Sequence, residues 1–204
     1  ENLMFLYTSG KLYESTLQGM SWTNPVELPE HINLKKSHEP SLCISKDGNM
    51  IIVVSDKKGG YGGRDLYTST RIDGGLWGPL ENMGAVVNTE QDEDTPYLIS
   101  NDLLYFSSKG HSSIGGYDVF FTELKNEKWK NPVSLGIPIN TPGDEISYIR
   151  SKLNNEVAYY SSSRLNGYGY LDIYRVTAHL EKRRDLLPAI LLADLMTDEL
   201  VAVD

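Results

Sequence analysis

Three aspartates return at near-equal spacing, Asp65, Asp118 and Asp172, separated by 53 and 54 residues. A carboxylate can serve as acid, base, nucleophile, cation ligand or hydrogen-bond acceptor. Glycoside hydrolysis needs two carboxylates that converge on one bond, and spacing alone brings none of these together. A group that reappears at one place in every repeat is expected to be architectural, accepting loop N–H groups or pairing with Arg64 or Arg164. The acidic run Glu90, Asp92, Glu93, Asp94 has the oxygen ligands that calcium takes, but not the spaced ligands and central glycine of an EF-hand loop, and it reads as a solvated connector. Asp144 and Glu145 read as loop residues. His31, His38, His111 and His179 lack metal-ligand spacing, and no Gly-x-Ser-x-Gly nucleophile turn occurs. The expectation is a chain with no catalytic centre, no metal and no cofactor, and hence not an enzyme.

Glycine-rich loops precede each of these aspartates, as in Gly59-Gly60-Tyr61-Gly62-Gly63. Such a loop cradles phosphate when a helix N-terminus stands behind it. Here a strand-like segment follows, so the glycines are expected to supply positive φ for a turn.

The elements that hold these residues form a repeat. Trp22-Thr23-Asn24-Pro25, Trp77-Gly78-Pro79 and Trp129-Lys130-Asn131-Pro132 keep a spacing of 55 and 52, and Asn88-Thr89 and Asn140-Thr141 lie 52 apart. Each copy reads as four short strands, A to D. In the second copy these are predicted at 40–45, 50–55, 65–70 and 76–80; in the third at 96–100, 103–107, 117–124 and 128–135. The first copy shows B, C and D (4–8, 11–16, 21–28) and the last A, B and C (146–151, 157–162, 171–177). Four strands at this period predict an all-β β-propeller with about four visible blades, a piece of a larger one. Trp22, Trp77 and Trp129 are expected to pack between blades. Residues 1–180 form the propeller; 181–204, with Pro188 after a charged run, form a linker and the start of another β-domain.

Composition narrows the partners. With 204 residues, 40% of them hydrophobic, the chain can bury a core. A net charge of −9 disfavours nucleic acid and anionic lipid. Cys43 is the only cysteine, so no internal disulfide forms. The longest apolar run, 186–193, contains Pro188 and is far short of the ~20 residues of a membrane helix. Residues 1–10 show no signal peptide, and the chain reads as a mature or excised part of something longer.

The repeat resembles the WD40-like, TolB-type propeller repeat. The resemblance rests on the turn Ser45-Lys46-Asp47-Gly48, the strand-B serines Ser55, Ser107 and Ser161, and the Gly-rich segments 58–67, 109–120 and 164–174. The third and fourth copies depart from the turn, with Asn101-Asp102 and Asn154-Asn155. The connectors at 88–96 and 140–145 narrow the likeness to the propeller of Bacteroidetes OmpA-family envelope proteins, some of which serve type IX secretion and gliding. Residues 190–200 are similar to the first strand of the carboxypeptidase-regulatory-like domain that follows the propeller in that family. The resemblance implies a periplasmic, outer-membrane-associated scaffold whose partners are other envelope proteins. Peptidoglycan would be reached only through a domain not in this chain.

In a propeller the B–C and D–A connections share a face. That face is expected to carry Tyr61, Arg64, His111, Tyr117, Arg164, Tyr168 and Tyr170, together with the acidic connectors and His38-Glu39. Tyrosine and arginine are enriched at interface hot spots, and the same residues serve equally to pair loops across blades. A propeller that binds glycan or peptidoglycan fragments through its tyrosines is the alternative. A propeller hydrolase is a further one, with a near match to a sialidase Asp-box at 73–77 whose serine and spacing differ.

Overall fold

The computed structural model describes residues 2–154 and 156–177. It is a four-blade β-propeller of small antiparallel sheets. Blade 1 comprises β1 (Leu3–Thr8), β2 (Lys11–Gln18), β3 (Ser21–Trp22) and β4 (Val26–Glu27). Blade 2 has β5 (Leu42–Ile44), β6 (Met50–Ser55), β7 (Asp65–Thr70) and β8 (Glu81–Asn82). Blade 3 has β9 (Glu93–Ser100), β10 (Leu103–Ser108), β11 (Asp118–Lys125), β12 (Lys128–Trp129) and β13 (Val133–Ser134). Blade 4 has β14 (Glu145–Arg150), β15 (Val157–Ser162) and β16 (Asp172–Thr177). The A strands of successive blades, β5, β9 and β14, pack on one another and lie innermost.

Strands B and C form where the chain has β-branched and aromatic residues bounded by turns. In β6 the run Ile51, Ile52, Val53, Val54 is fully buried because both faces of the blade are covered. Ile51 and Val53 join Leu12, Tyr67 and Trp77 between blades 1 and 2, while Ile52 and Val54 join Leu66, Leu104, Phe106 and Phe120 between blades 2 and 3. Tyr105, Val119, Tyr148, Ala158, Tyr160 and Tyr174 fill the gap between blades 3 and 4. Burying each such side chain contributes about 1.5–3 kcal/mol.

Three expectations are corrected. Strand D is not one strand at 76–80 or 128–135. Trp77 makes a single bridge to Arg71 before β8 begins at Glu81, and β12 and β13 pair separately with β11, because a proline interrupts each segment. The strand-B serines in register with Ser55 are Ser108 and Ser162, which sit opposite Asp118 and Asp172 as Ser55 sits opposite Asp65. The tryptophans are also not equivalent. Trp77 is 4% exposed and Trp129 packs on the cluster between blades 2 and 3, but Trp22 is 44% exposed on the outer side of blade 1. The domain boundary near 180 and the β-domain expected from 190 lie outside the described residues.

Candidate functional site

The connectors between blades act as latches. Asn88 closes a pair of hydrogen bonds on one residue of β7: the Leu66 N–H donates to Oδ1 at 2.8 Å and Nδ2 donates to the Leu66 carbonyl at 2.9 Å. Asn33 grips Leu12 in the same way, and Asn140 grips Val119. Five residues beyond Asn88, the buried carboxylate of Glu93 accepts from the Thr89 N–H and hydroxyl and from Ser108 on β10. Glu145 repeats this with Thr141 and Ser162. Glu39, one residue further from its asparagine, repeats only the hydroxyl half: its Oε1 accepts from Ser37 and Ser55, while Oε2 is buried without a hydrogen-bond partner. Each connector therefore ties strand C of one blade to strand B of the next.

The strand-C aspartates hold the B–C loops. Asp65 accepts from the N–H groups of Tyr61 and Gly62 and from the Asn82 amide. Asp172 accepts from Tyr168 and Gly169. Asp118 accepts only from Ile114, and its other oxygen, Oδ1, is buried without a hydrogen-bond partner. Burial, with Glu145 adding repulsion, pushes the Asp118 carboxyl up to about 6 against the pull of the Ile114 N–H. Asp65 does not pair with Arg64, which instead reaches Asp94 at 2.5 Å.

Most loop glycines answer to close approach rather than to φ. Of the four glycines in the run from 59 to 63, only Gly59 has positive φ. A Cβ on Gly62 would stand 1.8 Å from the Gln91 carbonyl oxygen, and one on Gly115 2.5 Å from the Thr141 oxygen. Gly62 and Gly115 let the B–C loops of blades 2 and 3 lie flat on the connectors that follow.

The structure divides the predicted face residues into two groups. Arg64, His111, Tyr117 and Arg164 join loops and blades. The Arg64 N–H and the Lys109 ammonium both donate to Asp92, and that ammonium stands 4.6 Å over the Tyr117 ring. Burial opposes the Asp92 carboxylate, yet the Lys109 contact holds it below its ordinary range. His111 bonds to the Val87 carbonyl and packs on Phe106 and Phe120. Arg164 donates to the Ile139 carbonyl and the Tyr160 hydroxyl and covers the Tyr174 ring. By register it matches Lys57, since the N–H of each donates to the serine ending strand B, and so it is not the counterpart of Arg64.

Tyr61, Tyr168 and Tyr170 are exposed instead. Tyr61 is 51% and Tyr168 87% exposed, each four residues before its strand-C aspartate. Ile114 occupies that position in blade 3 and is 51% exposed. Beside Tyr61 an open cleft of about 630 Å³ is lined by Val86, Glu90, His111, Asn131 and Pro132 among others. The sequence reading omits Ile114 and Val86. Counting back four residues from Asp118 would have found Ile114, whose side chain is not of the tyrosine or arginine type that draws notice at an interface. Among the described residues, no group of His, Cys, Asp and Glu is placed to hold a metal ion.

No protein-family model matches the sequence, and no curated protein sequence matches it. Solved structures do share its shape. An α-L-arabinanase from Penicillium chrysogenum, complexed with arabinobiose, is 17% identical with a TM-score of 0.51, over 81% of this chain and 53% of that one. A prolyl endopeptidase is 13% identical with a TM-score of 0.48, over 86% of this chain and 24% of that one. The NanB sialidase from Streptococcus pneumoniae is 13% identical with a TM-score of 0.45, over 84% of this chain and 27% of that one. The chain thus spans about a quarter to a half of these proteins. They fix the fold. The expectation that the chain is not an enzyme is corrected: a solved propeller of this shape is an arabinanase, so missing motifs in the blades do not exclude turnover.

Proposed function

We propose that the chain is a binding platform of the bacterial cell envelope, a periplasmic, outer-membrane-associated propeller that presents its B–C and D–A face to other envelope proteins, including those of type IX secretion. The observation that carries the binding part is the row Tyr61, Ile114 and Tyr168. At the same position in three blades the backbone N–H donates to the strand-C carboxylate, and the residue bears a large, exposed hydrophobic side chain each time. The fold gains nothing from exposing these groups, and partners bury them readily. The envelope part rests on the sequence resemblance in the connectors at 88–96 and 140–145. Those connectors are the latches, so the likeness is one of architecture first.

The test is capture from an envelope fraction by the chain and by the triple variant Tyr61→Ala, Ile114→Ala, Tyr168→Ala. Exposed side chains of this kind shift stability by roughly 0.5 kcal/mol or less each, whereas losing a hot-spot cluster costs binding ~2 kcal/mol or more. The expected outcome is lost capture at an unchanged melting temperature. Equal capture by both proteins would remove the row from the interface. Titration with muropeptides and oligosaccharides addresses the glycan alternative, and cleavage of any bound peptide or glycan would turn the platform into a hydrolase site.

A further inference from the structure

We infer that the outer face of blade 1 is a seat for another blade, and that a second copy of this chain fills it with the outer face of its blade 4, head to tail. Strand register carries the argument. Met4, Leu6 and Tyr13 hold the places that Ile51, Val53 and Tyr67 hold in blade 2, because Leu6 lies opposite Tyr13 as Val53 lies opposite Tyr67. In blade 3 the same places hold Leu104, Phe106 and Phe120. Trp22 pairs with Leu17 as Trp77 bridges Arg71 and Trp129 pairs with Leu124. In blades 2 and 3 the residues of strands B and C at these places are buried against the preceding blade. In blade 1, Met4, Leu6 and Tyr13 are only half-buried and Trp22 is 44% exposed, and none of the four belongs to a core cluster among the described residues.

Blade 4 presents the complementary surface. Tyr159 and Ile173 match Tyr105 and Val119, which face blade 4 from blade 3. Ile173 is 45% exposed, and Ile149, opposite Tyr159, is 47% exposed. Arg175 lies opposite Tyr159 as Glu14 lies opposite Phe5. Glu14 is the residue that reaches across to the next blade, accepting from the Trp77 indole and from Arg71. Arg175 of one copy is therefore placed to lie on Trp22 of the other, a cation on an indole face like Arg71, which stands 4.0 Å over Trp77. The two faces differ, so the contact is heterologous, and two copies close it into one ring with two such contacts.

Sedimentation of the 204-residue chain over a range of concentrations tests this. The chain should associate reversibly to a dimer. Trp22→Glu and Ile173→Glu, each on an exposed site and each checked for an unchanged β circular dichroism spectrum, should be monomeric alone. Mixed in equal amounts they should form a one-to-one complex, since each retains the face the other has lost. A wild-type monomer at every concentration, a dimer indifferent to both substitutions, or a cross-link between positions 22 and 173 within a single chain would each overturn the inference.

Discussion

Asp118 differs from Asp65 in what surrounds it. Asn82 accepts from Gly84 and Asn88 and also donates its amide to Asp65, whereas Ser134, at that place in blade 3, accepts from Gly136 and Asn140 and makes no bond to Asp118. A buried carboxylate with one N–H and a second acidic side chain nearby is costly to ionise. Its folded pKa of about 6 lies above the free value of 3.8, so the folded chain holds this proton more tightly. Its contribution to stability is full below pH ~4 and is lost as pH rises through about 6. Asp118→Asn keeps the acceptor for Ile114 and carries no charge. It should raise stability at pH 8 by on the order of 1–3 kcal/mol, read as a higher melting temperature, and leave stability near pH 4 little changed. A variant that melts lower than wild type at pH 8 would show that the charged form is the one the fold uses. The glycines give a second contrast. Gly62→Ala should cost about 1–3 kcal/mol through its clash with Gln91. Gly19 has φ +62 and nothing within 4 Å of its would-be Cβ, so Gly19→Asn should be tolerated within ~1 kcal/mol. Thermal melts of both measure it, and equal losses would show that space is not what separates them.

At the scale of elements, the latch is the unit that turns separate sheets into a stack. Asn140→Ala would leave the Val119 N–H buried and unpaired, while its carbonyl keeps the Leu135 N–H, a loss of about 1–3 kcal/mol. The check is chemical denaturation, and a loss under 0.5 kcal/mol would mean that blade packing alone aligns the strands. Much of this level was legible in the sequence. Strands β6 and β15 fall at the expected residues because Met50–Ser55 and Val157–Ser162 are short apolar runs between turn residues. The latch was half legible. Asn88-Thr89 and Asn140-Thr141 stood out as marks, but Asn33 did not, because Leu34 follows it and one extra residue separates it from Glu39. The A–B turn was hidden by the reverse effect. Asn101-Asp102 looks like a departure from Ser45-Lys46-Asp47-Gly48, yet Ser100 donates to Asp102 as Ser45 donates to Asp47. Strand D was misplaced because prolines and single bridges leave no alternation to read. On the candidate face the residue types were visible, but a sequence does not say which side chains pair inward. Arg64 and Arg164 look alike in their loops, and only the register of Ser55 and Ser162 separates them.

For the whole molecule, the blades divide labour between their two ends. The B–C and D–A face bears the cleft beside Tyr61 and the exposed row. The A–B face bears compact turns, among them 46–49 and 100–102, joined where the Asp47 N–H donates to Asn101. The proposed platform uses the first face and leaves the second free. Amide hydrogen exchange of the chain, alone and with its captured partner, tests this most directly. The loops at 59–64, 110–117 and 164–171 should gain protection in the complex, while the turns at 46–49 and 100–102 exchange at an unchanged rate. Protection at those turns with none at the three loops would contradict the account.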